Sequence, residues 1–236
     1  MRDYVPTLLA LAWLALPAVA EAQALQCNVP AQLPRPDAEG PTGSEPRRLL
    51  PIGGYTLSII WSPEACHGGG DHGDNLACRA GNRFGFTLHG LWPDGEGRDW
   101  PQYCRPVALL PEPLIRKNLC ATPSVQLQQH EYAKHGSCMN LPPENYFARS
   151  TGLYAKLRYP DMGALSARHG LTAGQFAAAF ARANPGMTAD MMRLNVNKRG
   201  WLEEVWLCLD ARLQYRRCPA TQGGAAPGTA VKVERP

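Results

Sequence analysis

The sequence predicts an α+β fold in which helices flank a central antiparallel sheet, within a single domain stapled by disulfides. Segments rich in β-branched and aromatic residues lie near the start and the end of the chain, and helix-forming segments lie between them. The chain also has eight cysteines, all of which follow an N-terminal segment typical of exported proteins. An even number of cysteines in an exported chain predicts four disulfides, although eight cysteines allow 105 pairings.

The N-terminal segment has the pattern of a secretory signal peptide. Arg2 precedes the unbroken apolar run from Leu8 to Leu16, and small residues follow. Three positions fit cleavage: Ala20, Ala22 and Ala24. We prefer the last, which makes residues 1–24 the leader. This run is shorter than the roughly 20 residues that span a bilayer, and no later segment comes close, so we expect no membrane anchor.

The next part of the chain is predicted to alternate between irregular segments and strands. Residues 28–54 are rich in proline, glycine and charge without any period, which indicates an irregular arm. Tyr55 to Trp61 reads as a buried strand, and Phe84 to Leu91 as a second strand that carries His89 at its C-terminal end. The proline-rich stretch 93–113 predicts a loop.

Helical patterns follow. Gln126 to His135 contains good helix formers, with Ser124 as its N-cap. Two further helices are predicted, over Glu144 to Tyr159 and over Thr172 to Asn184.

Strand patterns return at the end of the chain. Leu194 to Asn197, Leu202 to Asp210 and Arg212 to Arg217 alternate like strands, the last two as a hairpin. The segment 219–236 is rich in proline, glycine and alanine and is predicted to be a flexible tail, which leaves 25–218 as one domain. The formal net charge of +4 suits a polyanionic partner, but no dense basic tract marks a high-affinity nucleic-acid surface.

Two short segments concentrate side chains suited to acid–base chemistry. The first, Phe86 to Asp94, reads FTLHGLWPD, and the second, His130 to Cys138, reads HEYAKHGSC. On a helix, His130 stacks with Lys134 and Glu131 stacks with His135, because residues four apart share a face. Histidine has an unperturbed pKa near 6.5, so one ring can act as a base while another acts as an acid.

Together these segments resemble the two active-site segments of the ribonuclease T2 family, endoribonucleases that cut RNA through a 2′,3′-cyclic phosphate. The resemblance implies that His89 protonates the leaving oxygen and that His135 removes the 2′-proton. It also implies that His130 binds phosphate, while Glu131 and Lys134 stabilise the transition state. Tyr132 and Ser137 stand where tryptophan and threonine are commoner in the family, and both replacements keep the chemical character.

The resemblance also places a base-binding subsite at Trp92 and Asp94, where an aromatic face and a carboxylate can contact a base. Packing is an equal alternative for Trp92, and a turn role after Pro93 is an equal alternative for Asp94. A third aromatic residue often contributes in the family. Trp100 or Tyr103 can fill that role, and the sequence does not choose between them.

The resemblance favours the disulfides Cys104–Cys138 and Cys208–Cys218. For the other four cysteines we guess Cys66–Cys78, which leaves Cys27–Cys120. The sequence has no Asn-x-Ser/Thr sequon and a short leader, which suits a bacterial periplasm; we expect a periplasmic or secreted protein.

Parts of the sequence also suggest a zinc hydrolase, a metal-binding loop and a binding protein without catalytic activity. His130-Glu131 is similar to the start of a zinc-binding H-E-x-x-H helix, but the next histidine comes five residues later and Lys134 takes the ligand position. The loop from Cys66 to Asp74 is rich in histidine and aspartate, yet we expect a flexible surface loop. A catalytically silent RNA- or ligand-binding protein would have lost His89 or His135. The sequence therefore predicts a monomeric endoribonuclease for RNA and not DNA, with broad base tolerance and with no metal or cofactor.

Overall fold

The structure is a computed structural model that describes residues 23–67 and 73–236. Its centre is a four-stranded antiparallel sheet made of β2 (Gly54–Trp61), β4 (Phe86–Asp94), β5 (Met192–Val196) and β6 (Leu202–Leu209), in the spatial order β4-β2-β6-β5. A small second sheet pairs β1 (Ala24–Gln26) with β3 (Arg83–Phe84). The predicted leader through residue 22, and residues 68–72 of the loop after Cys66, lie outside the described residues.

Six helices accompany the sheets within these described ranges: α1 (Ser62–Ala65), α2 (Glu112–Asn118), α3 (Val125–Lys134), α4 (Pro143–Tyr154), α5 (Met162–Ser166) and α6 (Ala173–Ala183). The side chain of Ser124 caps α3 by accepting the backbone N–H of Leu127, as predicted. Thr172 caps α6 in a reciprocal pair with Gln175. The mixed α+β architecture with helices around an antiparallel sheet is thus confirmed.

Three helices were not predicted: α1, α2 and α5. Helix α2 begins at the end of the predicted proline-rich loop. Helix α2 has Pro111 at its N-cap and Pro113 in its first turn. Proline is tolerated there because the first backbone N–H groups of a helix have no partner within the helix. Short α5 was missed because its five residues span little more than one turn, too few to show a period.

The hydrophobic core lies between one face of the sheet and helices α4 and α6. Leu57, Ile59 and Trp61 alternate along β2 and are almost completely buried, as expected for side chains that point to one face of a strand. Phe86 packs against the Trp61 ring at 4.8 Å and meets Phe180 of α6 edge-on at 6.3 Å. This packing fixes the start of β4 and so the position of the first motif.

Strand β4 differs from the prediction in its C-terminal end and in the position of His89. It runs to Asp94, so His89 lies in its middle and not at its C-terminal end. Ser58 pairs with Gly90, whereas Ile59 pairs with Leu88, so His89 is the additional residue of a β-bulge. Bulges turn a side chain away from regular alternation, which allows His89 to face the site.

The predicted hairpin strand over Arg212 to Arg217 is wrong. Asp210 accepts the backbone N–H groups of Arg212 and Gln214, and Leu213 has a positive φ of 62°. These contacts make a turn. Of the predicted pairing between the last two strands, the structure has only an isolated bridge between Leu209 and Tyr215.

The segment after Cys218 differs from the flexible tail that its composition suggested. Val231 and Val233 are each only 4% exposed, and the indole N–H of Trp61 donates to the backbone oxygen of Glu234. The two alternating valines anchor this short segment in the core. The average composition of residues 219–236 does not reveal them, because proline, glycine and alanine dominate it.

All four predicted disulfides are present: Cys27–Cys120, Cys66–Cys78, Cys104–Cys138 and Cys208–Cys218. The third joins the loop after β4 to the end of the second motif, which limits the relative motion of the two motifs. Over residues 23–67 and 73–236, none of the helices has the length and apolar content needed to cross a membrane.

Candidate active site

The two motifs meet in one open cleft of about 380 Å³. Strand β4 contributes His89, Trp92 and Asp94, and helix α3 contributes His130, Glu131 and Lys134, with His135 at its C-cap. The structure therefore brings together every predicted catalytic side chain. Strand β6 and the segment after it add Trp206, Arg216 and Gln222, which the sequence analysis did not identify.

His89 is held between two carboxylates. Its Nδ1 lies 2.7 Å from Oε1 of Glu204 on β6, and its Nε2 lies 3.4 Å from Oε1 of Glu131 on α3. Burial by itself lowers the pKa of His89, but the charge of Glu131 and the hydrogen bond to Glu204 outweigh it and raise this pKa above its ordinary value. Protonation of His89 is therefore more favourable here than in an ordinary histidine.

Glu131 lies beneath the cleft with a side chain that is only 2% exposed. Burial raises its pKa, opposed by His89, His130 and a 2.7 Å hydrogen bond from the indole N–H of Trp92 to Oε2. Gly90 makes room for this carboxylate, because a Cβ at that position would lie 1.7 Å from Oε2 of Glu131. The glycine of the first motif is thus required by the glutamate of the second.

His135 has the opposite electrostatic character from His89. It is 6% exposed, and among the residues that the structure describes its buried Nδ1 has no hydrogen-bond partner. Burial, followed by the charges of Lys134, His130 and His89, holds the pKa of His135 well below its ordinary value. The Trp92 ring stacks on His135 at 5.3 Å and meets His89 edge-on at 5.0 Å. Two imidazoles whose pKa values are shifted in opposite directions therefore flank the same indole.

His130 and Lys134 lie one helical turn apart, on the side of the cleft that the resemblance assigns to phosphate. Each already contacts a carboxylate of the irregular arm. Lys134 Nζ lies 2.5 Å from Oε1 of Glu45, and His130 Nδ1 lies 3.4 Å from Oε2 of Glu39. The Lys134 hydrogen bond is the main cause that lowers the pKa of Glu45.

The predicted base-binding residues occupy different environments. Asp94 Oδ2 accepts a 2.8 Å hydrogen bond from Thr56, and burial raises the pKa of Asp94 against this contact and the charge of Arg216. Asp94 ends β4 instead of forming a turn. Of the two alternative aromatic residues, Trp100 lines the cleft and is 42% exposed, whereas Tyr103 is buried and donates its hydroxyl to Glu45.

Glu204 is the main functional candidate that sequence reasoning missed. It also accepts hydrogen bonds from Trp206 Nε1 at 2.6 Å and from Ser58 Oγ at 3.2 Å, so both of its oxygens are used. A weak signal existed, since Glu204 and Trp206 alternate with the core residues Val205 and Leu207 and must share the opposite face of β6. Sequence alone does not reveal that β6 pairs beside β2 and places that face under His89.

A possible metal cluster lies elsewhere. Among the residues that the structure describes, one group of three side chains has ligand atoms within 4.8 Å of one another: Glu64, His67 and Glu234. None of them lines the cleft. Arg199 already pairs with Glu64 at 2.9 Å and supplies the counter-charge.

Comparison with known proteins gives the same family as the two motifs. The model of the ribonuclease T2 family matches residues 52–218. A probable ribonuclease of Haemophilus influenzae is 28% identical over 71% of this chain and 61% of its own length, so this chain spans less than two thirds of that relative. Ribonuclease I of Escherichia coli is 26% identical, over 54% of this chain and 63% of its own length.

Solved structures agree at the level of the fold. Trichomaglin, described as a novel S-like ribonuclease, superposes with a TM-score of 0.62 at 22% identity, covering 77% of this chain and 97% of that structure. The family match spans both motifs and most of the described sheet. The chain therefore belongs to the ribonuclease T2 family.

Proposed function

We propose that this protein is an endoribonuclease that cleaves single-stranded RNA by metal-independent acid–base transesterification. The products are 2′,3′-cyclic phosphates, which the same site hydrolyses to 3′-phosphate ends. The observation that carries the proposal is the pairing of two histidines with opposite pKa shifts in one cleft. Such a pair supplies an acid and a base near neutral pH.

In the first step His135, neutral in the free protein, takes the proton of the ribose 2′-OH. The 2′-oxygen forms a bond to phosphorus as the bond from phosphorus to the 5′-oxygen breaks, and His89 gives its proton to the departing 5′-oxygen. In the second step the roles reverse. His89 takes a proton from water as the water oxygen bonds to phosphorus, the bond from phosphorus to the 2′-oxygen breaks, and His135 protonates the departing 2′-oxygen. Each proton transfer contributes on the order of 10²- to 10⁴-fold.

The remaining groups stabilise the charge that develops on the phosphate. Lys134 and His130 lie on one side of the cleft and offer N–H donors to the phosphate oxygens. Glu131 acts electrostatically through His89, which it keeps protonated. Glu204 orients the same ring through Nδ1, which leaves Nε2 for proton transfer.

Bases are proposed to bind beside Asp94 and Trp100. Trp92 is held by His135 and Glu131, so it serves mainly to position the catalytic groups. Trp100 is 42% exposed, with the Arg48 guanidinium 4.4 Å from its ring, and is the proposed stacking partner. Aromatic stacking tolerates any base, which supports broad specificity. The four disulfides and the bacterial relatives are consistent with export, and we place the protein in a periplasm or outside the cell.

A test compares product ends from RNA treated with wild type, His89→Ala and His135→Ala, all in excess chelator. The wild type should release cyclic-phosphate ends, and each variant should lose at least 100-fold in rate, the lower bound for one proton transfer. A DNA strand of the same sequence should stay intact because it lacks the 2′-OH. Binding of RNA without cleavage would favour a silent binding protein, and loss of activity in chelator would favour a metal hydrolase.

A further inference from the structure

The irregular arm, residues 28–53, brings two negative charges against the phosphate-binding side chains. Its Glu45 pairs with Lys134, and its Glu39 contacts His130. Both carboxylates precede residue 52, where the match to the family model begins. They are therefore additions to the part of the chain that matches the family, and the reaction scheme above does not use them.

Several contacts hold the arm in this position. Gln126 on α3 donates to Oε1 of Glu39 at 2.7 Å and accepts the backbone N–H of Asp37 at 2.7 Å. Next to Glu45, the backbones of Arg48 and Gln102 exchange two 3.0 Å hydrogen bonds. The two carboxylates are thus held against His130 and Lys134, which line the cleft, without lining it themselves.

We infer that Glu39 and Glu45 are specificity-determining residues, which make the site favour the singly charged phosphodiester within an RNA chain over the doubly charged phosphomonoester of a product end. The inference rests on the proposed function. Both carboxylates repel any phosphate that contacts His130 and Lys134, and the repulsion doubles when the phosphate carries a second charge. Internal linkages are then accepted, and 3′-phosphate products leave readily.

The size of the effect follows from Coulomb's law. At about 6 Å and the dielectric constant of water, near 80, each pair of unit charges changes an affinity by about threefold. Removing one carboxylate should then tighten binding of a monoanion by about threefold and of a dianion by about tenfold. The ratio of the two affinities should shift by about threefold for each carboxylate removed.

The experiment measures equilibrium binding of two probes by calorimetry at low ionic strength and slightly alkaline pH. Adenosine 3′-monophosphate is the dianion there, since the second pKa of a phosphomonoester is about 6. The DNA dinucleotide d(ApA) carries one phosphodiester charge and is not cut. Glu39→Gln and Glu45→Gln are compared with Glu112→Gln, which removes a carboxylate that pairs with Arg116 on α2, outside the cleft. Thermal unfolding checks that each variant is folded.

Both arm variants should bind adenosine 3′-monophosphate about tenfold more tightly and d(ApA) about threefold more tightly, while Glu112→Gln matches wild type. Equal changes for the two probes, unchanged affinities, weaker binding of both probes, or a wild type that fails to bind d(ApA) would overturn the inference. RNA cleavage is assayed separately. An inactive wild type whose arm variants still show the selective gain would refute the proposed activity and leave the charge selectivity standing.

Discussion

Replacing Glu204 by glutamine tests whether the charge of Glu204 raises the pKa of His89, the proposed general acid. The amide oxygen of glutamine can still accept the N–H of His89 Nδ1, so His89 keeps a hydrogen-bond partner that has lost its charge. The amide NH2 group then replaces the oxygen that accepts the Trp206 indole N–H. Glu204 is one of two carboxylates that raise the pKa of His89 against the effect of burial. Without that charge, the pKa of His89 should fall, and the ring should lose its proton at a lower pH.

The magnitude follows from the 2.7 Å contact. A hydrogen bond to a charged group contributes about 1.5–3 kcal/mol and a neutral one about 1 kcal/mol, so the substitution removes on the order of 1.5 kcal/mol of stabilisation from the imidazolium. Since 1.36 kcal/mol corresponds to a tenfold change in an equilibrium constant, activity on the alkaline side should fall about tenfold. At a pH low enough to protonate His89 in both proteins, the loss should be small.

The assay is the pH dependence of kcat/KM on an RNA dinucleotide, which reports the ionisation of the free enzyme. For the variant the alkaline limb should move to lower pH by about one unit. Glu203→Gln is the matched control, because Glu203 is exposed and does not line the cleft. An alkaline limb that stays in place, or a uniform loss at every pH, would refute the role assigned to Glu204.

Three other predictions concern the packing of the site and the fold. Gly90→Ala places a Cβ 1.7 Å from Oε2 of Glu131 and should lower kcat about 100-fold in a folded protein; normal kcat would show that this close approach is unimportant. The lowered pKa of His135 means that the native state binds fewer protons than the unfolded state, so stability is lost as pH falls below about 6.5. His135→Gln should reduce the dependence of the unfolding free energy on pH by up to about 1.4 kcal/mol per pH unit, measured by urea titrations at several pH values. An unchanged pH dependence would count against a buried neutral ring. Val233→Ala should lower the free energy of unfolding, measured in denaturant, by about 2 kcal/mol, whereas Arg235→Ala at an exposed position should change it very little. Equal stabilities of the two variants would show that the segment after Cys218 does not pack against the core.

Much of the site was predictable because its residues are contiguous in sequence. Four of the five predicted catalytic residues come from one helix and its C-cap, where a spacing of four residues sets their relative positions. The pairing of His89 with Glu204 was not predictable, because it depends on the order of strands that are more than 100 residues apart in the chain. The contact of Glu45 with Lys134 was hidden for the same reason, since an irregular arm has no period to indicate where it packs.

The fold shows a similar division. Strand β2 and helices α3 and α6 were predicted nearly to the residue, since burial, caps and local propensity agree in these segments. The bulge at His89 was not predictable, because one additional residue changes only the register of a pair. The turn after Asp210 was missed because an aspartate that accepts two backbone N–H groups overrides an alternating pattern.

The central claim is that two imidazoles transfer protons across a ribose-phosphate linkage without a metal. The most direct measurement is a phosphorus NMR time course of RNA dinucleotide cleavage by the oxidised protein in excess chelator. We expect a 2′,3′-cyclic phosphate signal to rise first and then to be replaced by a 3′-phosphate signal. Release of a 5′-phosphate with no cyclic signal, or no reaction until a divalent metal is restored, would contradict it.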